Sequence, residues 1–235
     1  ASPLAAVALT LVSGAVMFAL MGLDPLNALS VYFVSPLSDS WALQEVAVKA
    51  TPLVLISIGL MLCYQSNNWN IGAEGQFVMG AIFGAAIAIW THGAANGPWL
   101  MPAMMLAAML GGAMLAMIPA VLKTRFNANE ILTSLMLVYI AELLLDWLVR
   151  GPWRDPKGFN FPQSVMFEAE AQTIRLTSDG RINIGTLIAL VVVVLAAFLL
   201  SRMLKGFEIR LVGEAPRAAR FAGFSQSRLT WTVFA

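Results

Sequence analysis

Ile184-Gly-Thr-Leu-Ile-Ala-Leu-Val-Val-Val-Val-Leu-Ala-Ala-Phe-Leu-Leu-Ser-Arg-Met-Leu204 decides the fold class. It runs for 21 residues, and its first charged side chain is Arg202, close to its end. About 20 apolar residues carry a helix across the hydrocarbon core of a bilayer, so this stretch reads as one membrane span. Working outward, Pro3–Leu23, Ala73–Thr91, Trp99–Leu122 and Ile131–Val149 are runs of the same kind, and Val46–Gln65 is a sixth, less uniform one. Pro3–Leu23 is too long for the core of a signal peptide and has no basic flank before it, so it also reads as a span. Apolar residues make up 59% of the chain and charged residues 11%, against about 25% charged in soluble domains. The expected fold is an all-α polytopic membrane protein of at least six transmembrane helices in a single domain, residues 1–235. Leu229–Ala235 is apolar but too short to cross, and is expected to begin a further span in a chain that continues.

Several chemistries are excluded. One cysteine, Cys63, leaves no internal disulfide, and one Cys with one His leaves no zinc constellation. No Gly-x-x-x-x-Gly-Lys-Ser/Thr loop occurs, so the chain is not itself a P-loop nucleotide hydrolase. Gly-x-Ser-x-Gly and His-Glu-x-x-His are absent too. No catalytic residue, metal, cofactor or nucleic-acid partner is expected, and the net charge of +1 says less than its distribution.

The distribution of Lys and Arg sets the orientation. Residues 202, 205, 210, 217, 220 and 228 are all basic, against Glu208 and Glu214. That is the strongest basic loop, which places the 205–228 region in the cytoplasm. Alternation then puts Arg150–Ile182 outside, Lys123–Glu130 inside, His92–Pro98 outside, Asn67–Gly72 inside, Asp24–Glu45 outside and the N-terminus inside.

Within that frame, Asp24-Pro25 opens a short interfacial helix ending in Tyr32-Phe33, aromatics suited to headgroup depth. The run Pro52–Cys63 is short and is followed by Tyr64-Gln-Ser-Asn-Asn-Trp-Asn70 and Ile71-Gly-Ala-Glu-Gly-Gln76. Such polar backbone cannot face lipid. It fits a broken or re-entrant helix lining a cavity, and equally an ordinary surface turn with Glu74 in the first turn of the next helix. Gly80 and Gly84, and Gly112 and Ala116, form small-x-x-x-small patterns that let helices approach closely. Glu142, Asp146 and Arg150 follow at i, i+4 and i+8 on one helix face. Asp146 and Arg150 can pair, while Glu142, one turn deeper, can line a substrate path. The loop after them holds Gly151-Pro-Trp-Arg-Asp-Pro156 and Phe159-Asn-Phe-Pro-Gln163, ordered but not helical.

Gly213-Glu-Ala-Pro-Arg-Ala-Ala-Arg-Phe-Ala-Gly223 is a small basic helix between two apolar spans. Pro216 suits its first position and Gly223 the position past its end. Arg217 and Arg220 share a face, beside a small apolar face of Ala218, Phe221 and Ala222. A helix this short does not stabilise itself, so its expected role is docking onto a cytoplasmic partner.

Four segments resemble the permease subunits of bacterial ATP-binding cassette (ABC) importers for branched-chain amino acids, simple sugars and nucleosides, the nucleoside-type members above all. Asn70-Ile-Gly-Ala-Glu-Gly-Gln76 is similar to a family signature, with Trp69 where phenylalanine is usual. Asn129-Glu130-Ile131, continuing through Thr133, Met136, Leu137 and Tyr139-Ile-Ala141, resembles a second, with Val138 where asparagine is common. Gly151–Pro156 with Phe161-Pro-Gln163 looks like the family's outer loop. Gly213–Gly223 looks like its coupling segment, with Ala215 in place of asparagine and Phe221 in place of tyrosine.

The resemblance, which covers roughly residues 50–228, implies a non-enzymatic, multi-pass permease of the bacterial cytoplasmic membrane. It would pair with a same or similar permease, an ATPase subunit beneath and an extracytoplasmic substrate-binding protein outside. On that reading Glu214, Pro216, Arg217, Arg220, Phe221 and Gly223 couple to the ATPase, and Asn68, Asn70, Glu74, Gln76 and Glu142 line the path of a nucleoside or simple sugar. An ion-coupled secondary transporter, with Glu74, Glu142 and Asp146 as protonation sites, stays open as the alternative. So does a non-transporting scaffold or receptor.

Overall fold

The computed structural model describes residues 2–94, 97–177 and 180–235. Parts of the His92–Pro98 and Arg150–Ile182 loops, residues 95, 96, 178 and 179, lie outside the described residues. The helices are α1 Ser2–Leu20, α2 Pro25–Phe33, α3 Ser35–Ser38, α4 Ser40–Gln65, α5 Ala73–Trp90, α6 Leu100–Phe126, α7 Glu130–Arg150, α8 Ile184–Arg202, α9 Leu204–Glu214, α10 Pro216–Phe221 and α11 Gln226–Phe234. Six of them, α1 and α4 to α8, are long and apolar enough to cross a membrane. These are the six runs read from the sequence.

Local chemistry explains most of the boundaries. Asp24 caps α2 by accepting from Leu26 N, with Pro25 at the first position. Asn129 caps α7 by accepting from Ile131 N and Leu132 N. Asn127 ends α6 in the left-handed conformation, φ 53°, which asparagine tolerates better than most residues. That α6 reaches Phe126 rather than stopping at Leu122 follows from Lys123, which finds polar partners at the helix end. The expected 205–228 loop is largely helical. Gly206, Ile209 and Val212, spaced by three, turn one buried face of α9 inward, and three-residue spacing puts side chains on one face.

Of the two readings left open for residues 64–76, the structure does not show the broken helix. Pro52–Cys63 lies inside the continuous 26-residue α4, so residues 66–72 link two full-length helices. The apolar residues simply continue on either side of Pro52.

The described chain divides into two compact units. One comprises residues 1–52 with 175–186. In it Arg181 pairs with Glu45 at 3.2 Å, Thr177 Oγ1 donates to Gln44 Oε1 at 2.9 Å, and the hydroxyls of Thr51 and Thr186 meet at 3.0 Å. The side chains of α1 project outward along its length, as suits a helix solvated by lipid.

The other unit, residues 53–174 with 187–235, contains the helix pairs read as glycine-packed. Here α5 runs antiparallel to α6. A Cβ on Gly80 would lie 3.0 Å from Ala108 O, on Gly84 3.3 Å from Met104 O, and on Gly112 3.2 Å from Gln76 O. Small residues at these positions let the backbones touch, the main source of attraction between helices in lipid. The start of α5 meets α7 as closely, since a Cβ on Gly75 would lie 2.8 Å from Val138 Cα. Gly75→Val therefore destabilises the protein by about 1–3 kcal/mol, read as a lower unfolding temperature in detergent. Gly14→Val, at a site with nothing within 4 Å, leaves that temperature unchanged.

At the far end of this unit Ile209, Val212, Ala219 and Leu229 form one buried cluster, with Leu62, Leu199, Phe224 and Val233 packed on it. It joins α9, α10 and α11 to α4 and α8. The loop after α7 has no α-helix among its described residues, only a 3-10 turn at Ala169–Ala171 and two isolated bridges. Ala171 packs on Ala88 and Leu100, and Glu168 accepts from Gly93 N at 2.9 Å.

Candidate functional site

The polar string between α4 and α5 is folded into protein. Ser66, Asn68 and Asn70 are all buried, and a buried polar group without a partner is costly. Each of the three has partners. Asn68 Oδ1 accepts from Lys123 Nζ at 2.9 Å and from Thr230 Oγ1 at 3.1 Å. Its Nδ2 donates to Ser66 Oγ at 2.8 Å. Lys123 Nζ also forms an ion pair with Glu130. Ser134 Oγ on α7 accepts from Ile71 N at 3.2 Å. This hub ties the ends of α4, α6, α7 and α11 together.

Asn70 and Gln76 form a second, separate pair. Asn70 Nδ2 donates to Gln76 Oε1 at 3.1 Å, and Gln76 Nε2 donates back to Asn70 Oδ1 at 3.0 Å. Asn70 Oδ1 accepts a second hydrogen bond, from Gly72 N at 3.0 Å. The Tyr64 hydroxyl donates to Asn70 O at 3.2 Å. Both amides line a cavity of 390 Å³ together with Ile56, Gly59, Cys63, Phe77 and Met109. Small-molecule sites span about 300–1,000 Å³ and combine apolar walls with a few convergent polar groups. This cavity has that make-up, and no charged side chain lines it.

The other path residues read from the sequence lie elsewhere. Asn68 does not line the cavity, and its side chain is held in the hub. Glu74 and Glu142 are exposed on α5 and α7. Asp146 and Arg150 form an exposed ion pair at 2.6 Å. Sequence reasoning missed Ser66, Lys123, Ser134 and Thr230 as members of the polar assembly. Lys123 opens a short loop and Thr230 sits in an apolar run, so neither has a local signal. Glu130 stood out only as part of a motif.

The basic helix takes the form its punctuators predict. Pro216 occupies its first turn, and Gly223 follows it at φ 84°, a conformation that favours glycine. Phe224 N reaches back to Ala219 O at 3.0 Å and Gly223 N to Arg220 O at 3.1 Å, closing the carbonyl end. The helix ends at Phe221, one residue short of the expected Ala222. Ala219 alone is buried and roots α10 in the cluster beneath. Glu214, Arg217, Ala218, Arg220, Ala222 and Gly223 are exposed, and Phe221 is 94% exposed. A fixed short helix thus presents two guanidinium groups and one phenyl ring outward.

Comparisons with known proteins fit this architecture. The chain is 36% identical to a glucose ABC transporter permease protein of Haloferax volcanii over 99% of its own length and 63% of that protein. It is 26% identical to a guanosine ABC transporter permease protein of Bacillus subtilis over 95% of the chain and 64% of the relative. A probable riboflavin import permease protein of Treponema pallidum is 25% identical over 86% of the chain and 53% of the relative. The chain thus spans somewhat under two thirds of the length of these proteins, and the likeness extends to sugar and nucleoside permeases together. No solved structure gives a significant match. Residues 42–235 match the family described as branched-chain amino acid transport system / permease component, and the chain belongs to that family.

Proposed function

We propose that this chain is part of the membrane-spanning permease subunit of an ATP-binding cassette importer, moving a nucleoside or simple sugar across the cytoplasmic membrane. ATP is hydrolysed on a separate subunit that docks on α10. A second permease subunit completes the pore, and an extracytoplasmic binding protein delivers the solute. The observation that supports this reading best is the rooted, outward-facing α10. An aromatic ring flanked by arginines is the make-up that protein interfaces favour, and Arg217 and Arg220 are suited to acidic groups on a partner.

The Asn70–Gln76 pair is the solute-contacting element of the path. A solute with hydroxyls loses its water on entry, and unreplaced hydrogen bonds are costly. The paired amides have donors and acceptors to exchange for that purpose. Glu74, Glu142 and Asn68 are the remaining candidates, with Glu74 and Glu142 on surfaces open to a second subunit.

The test is uptake of labelled guanosine and labelled glucose by cells making the complete permease with its ATPase and binding protein. Asn70→Ala lowers uptake about tenfold, the worth of roughly one or two hydrogen bonds, while the ATPase still co-purifies. Unchanged uptake in Asn70→Ala and Gln76→Ala removes the cavity from the path. Phe221→Ala weakens ATPase capture by about 1.5–3 kcal/mol, the value of burying such a side chain, as measured by titration of the purified subunit.

A further inference from the structure

The helices on either side of α10 in sequence both contact the same short turn. Before α10, α9 passes so close to the end of α4 that a Cβ on Gly213 would run into Gln65 O and lie 3.3 Å from Ser66 Cα. After α10, the Thr230 hydroxyl of α11 lies 3.1 Å from Asn68 Oδ1 and 3.0 Å from Gln226 O, and its one proton serves these two acceptors. Gly213 and Thr230 lie on either side of α10 in sequence, and both contacts fall on residues 65–68. The same turn continues directly into the cavity wall. Asn70 N donates to Asn68 O at 3.2 Å, and the Asn70 side chain then binds Gly72 N and Gln76.

We infer that residues 65–70 are a joint that passes displacement of α10 to the Asn70–Gln76 pair, with Thr230 and Gly213 as its positioning residues. The inference rests on the importer reading above and deepens it by assigning residues to the transmission. Its physical basis is stiffness. Asn68 accepts from two helices and donates to Ser66, so three hydrogen bonds on this one side chain hold the turn in place. Lys123, paired with Glu130, fixes the third side. Moving α10 without moving the turn breaks the Thr230 hydrogen bond in a buried place, or drives α9 into the backbone of Gln65. Coupling between two sites needs an element whose arrangement both sites bias, and the turn contacts the helices flanking α10 and itself carries Asn70.

Hydrogen exchange on the assembled permease and ATPase tests this, comparing the nucleotide-free complex with the ATP-vanadate-trapped one. In the wild type, ATPase docking protects residues 216–222, and trapping changes exchange at residues 66–76. Thr230→Val keeps the protection of α10 but reduces the trapping-dependent change at 66–76 about three- to tenfold, the range set by one hydrogen bond. Thr230→Ser, which keeps the hydroxyl, restores it. A purely structural role would instead raise exchange at 66–76 equally in both states. That result, or a trapping-dependent change that survives Thr230→Val intact, overturns the joint. Absence of α10 protection in the wild type contradicts the importer reading itself, and so the two failures are distinguishable.

Discussion

Arg217→Glu with Arg220→Glu abolishes uptake while the permease remains in the membrane at its normal level. Both side chains are exposed on α10, and neither has a hydrogen-bond or ion-pair partner among the described residues. Among the described residues no polar contact depends on them. A partner that recognises two guanidinium groups does so with carboxylates, and each charge-assisted hydrogen bond is stronger than a neutral one. Reversal removes the attraction and adds repulsion, and like charges facing each other at an interface cost several kcal/mol. A change of that size in docking corresponds to at least a hundredfold loss of occupancy. Membrane levels by immunoblot and ATPase co-purification separate lost docking from lost folding. If the double variant binds the ATPase normally, α10 is not the docking element.

Lys123→Met produces the largest loss of stability. Lys123 and Glu130 keep only 19% and 15% of their side-chain surface exposed. Removing the ammonium leaves the Glu130 carboxylate half-hidden without its counter-charge and takes a donor from Asn68. Breaking a buried pair from one side costs about 3–5 kcal/mol, and partial exposure puts this one near or below the lower figure. The double variant Lys123→Met with Glu130→Gln removes the unpaired charge while keeping an acceptor for Trp69 N, and regains most of the loss. The measurement is thermal unfolding of the three proteins in the same detergent. Equal destabilisation in the single and double variants would place the cost in the lost Asn68 contact rather than in the charge.

The sequence made the spans legible because an apolar run long enough to cross a bilayer has few other uses. The starts of α2 and α10 were legible for a different reason. Asp24-Pro25 and Pro216 with Gly223 act through backbone geometry within a residue or two, so no distant contact can override them. The hub was not legible. Asn68 lies 55 residues from Lys123 and 162 from Thr230, and only the packing of α6 and α11 against the turn brings them together. For the carboxylates the difficulty runs the other way. Glu74 and Glu142 stood out by being charged in apolar runs, but charge alone does not say which face of a helix is turned inward. Asn70 and Gln76, six residues apart on a turn and a first helical turn, were close enough in sequence for their meeting at the cavity to follow from local structure. The helix α9 was hidden by its polar composition, since its buried face is only Gly206, Ile209 and Val212 with Glu208 alongside.

The most direct test of the account is uptake by proteoliposomes holding the complete permease, its ATPase and its binding protein. Uptake is compared with ATP, with a non-hydrolysable analogue, and with ATP plus a protonophore. An ATP-driven importer takes up solute only with ATP, and the protonophore leaves the rate unchanged. Uptake that needs no ATPase and collapses with the protonophore would contradict the account and make the permease an ion-coupled transporter.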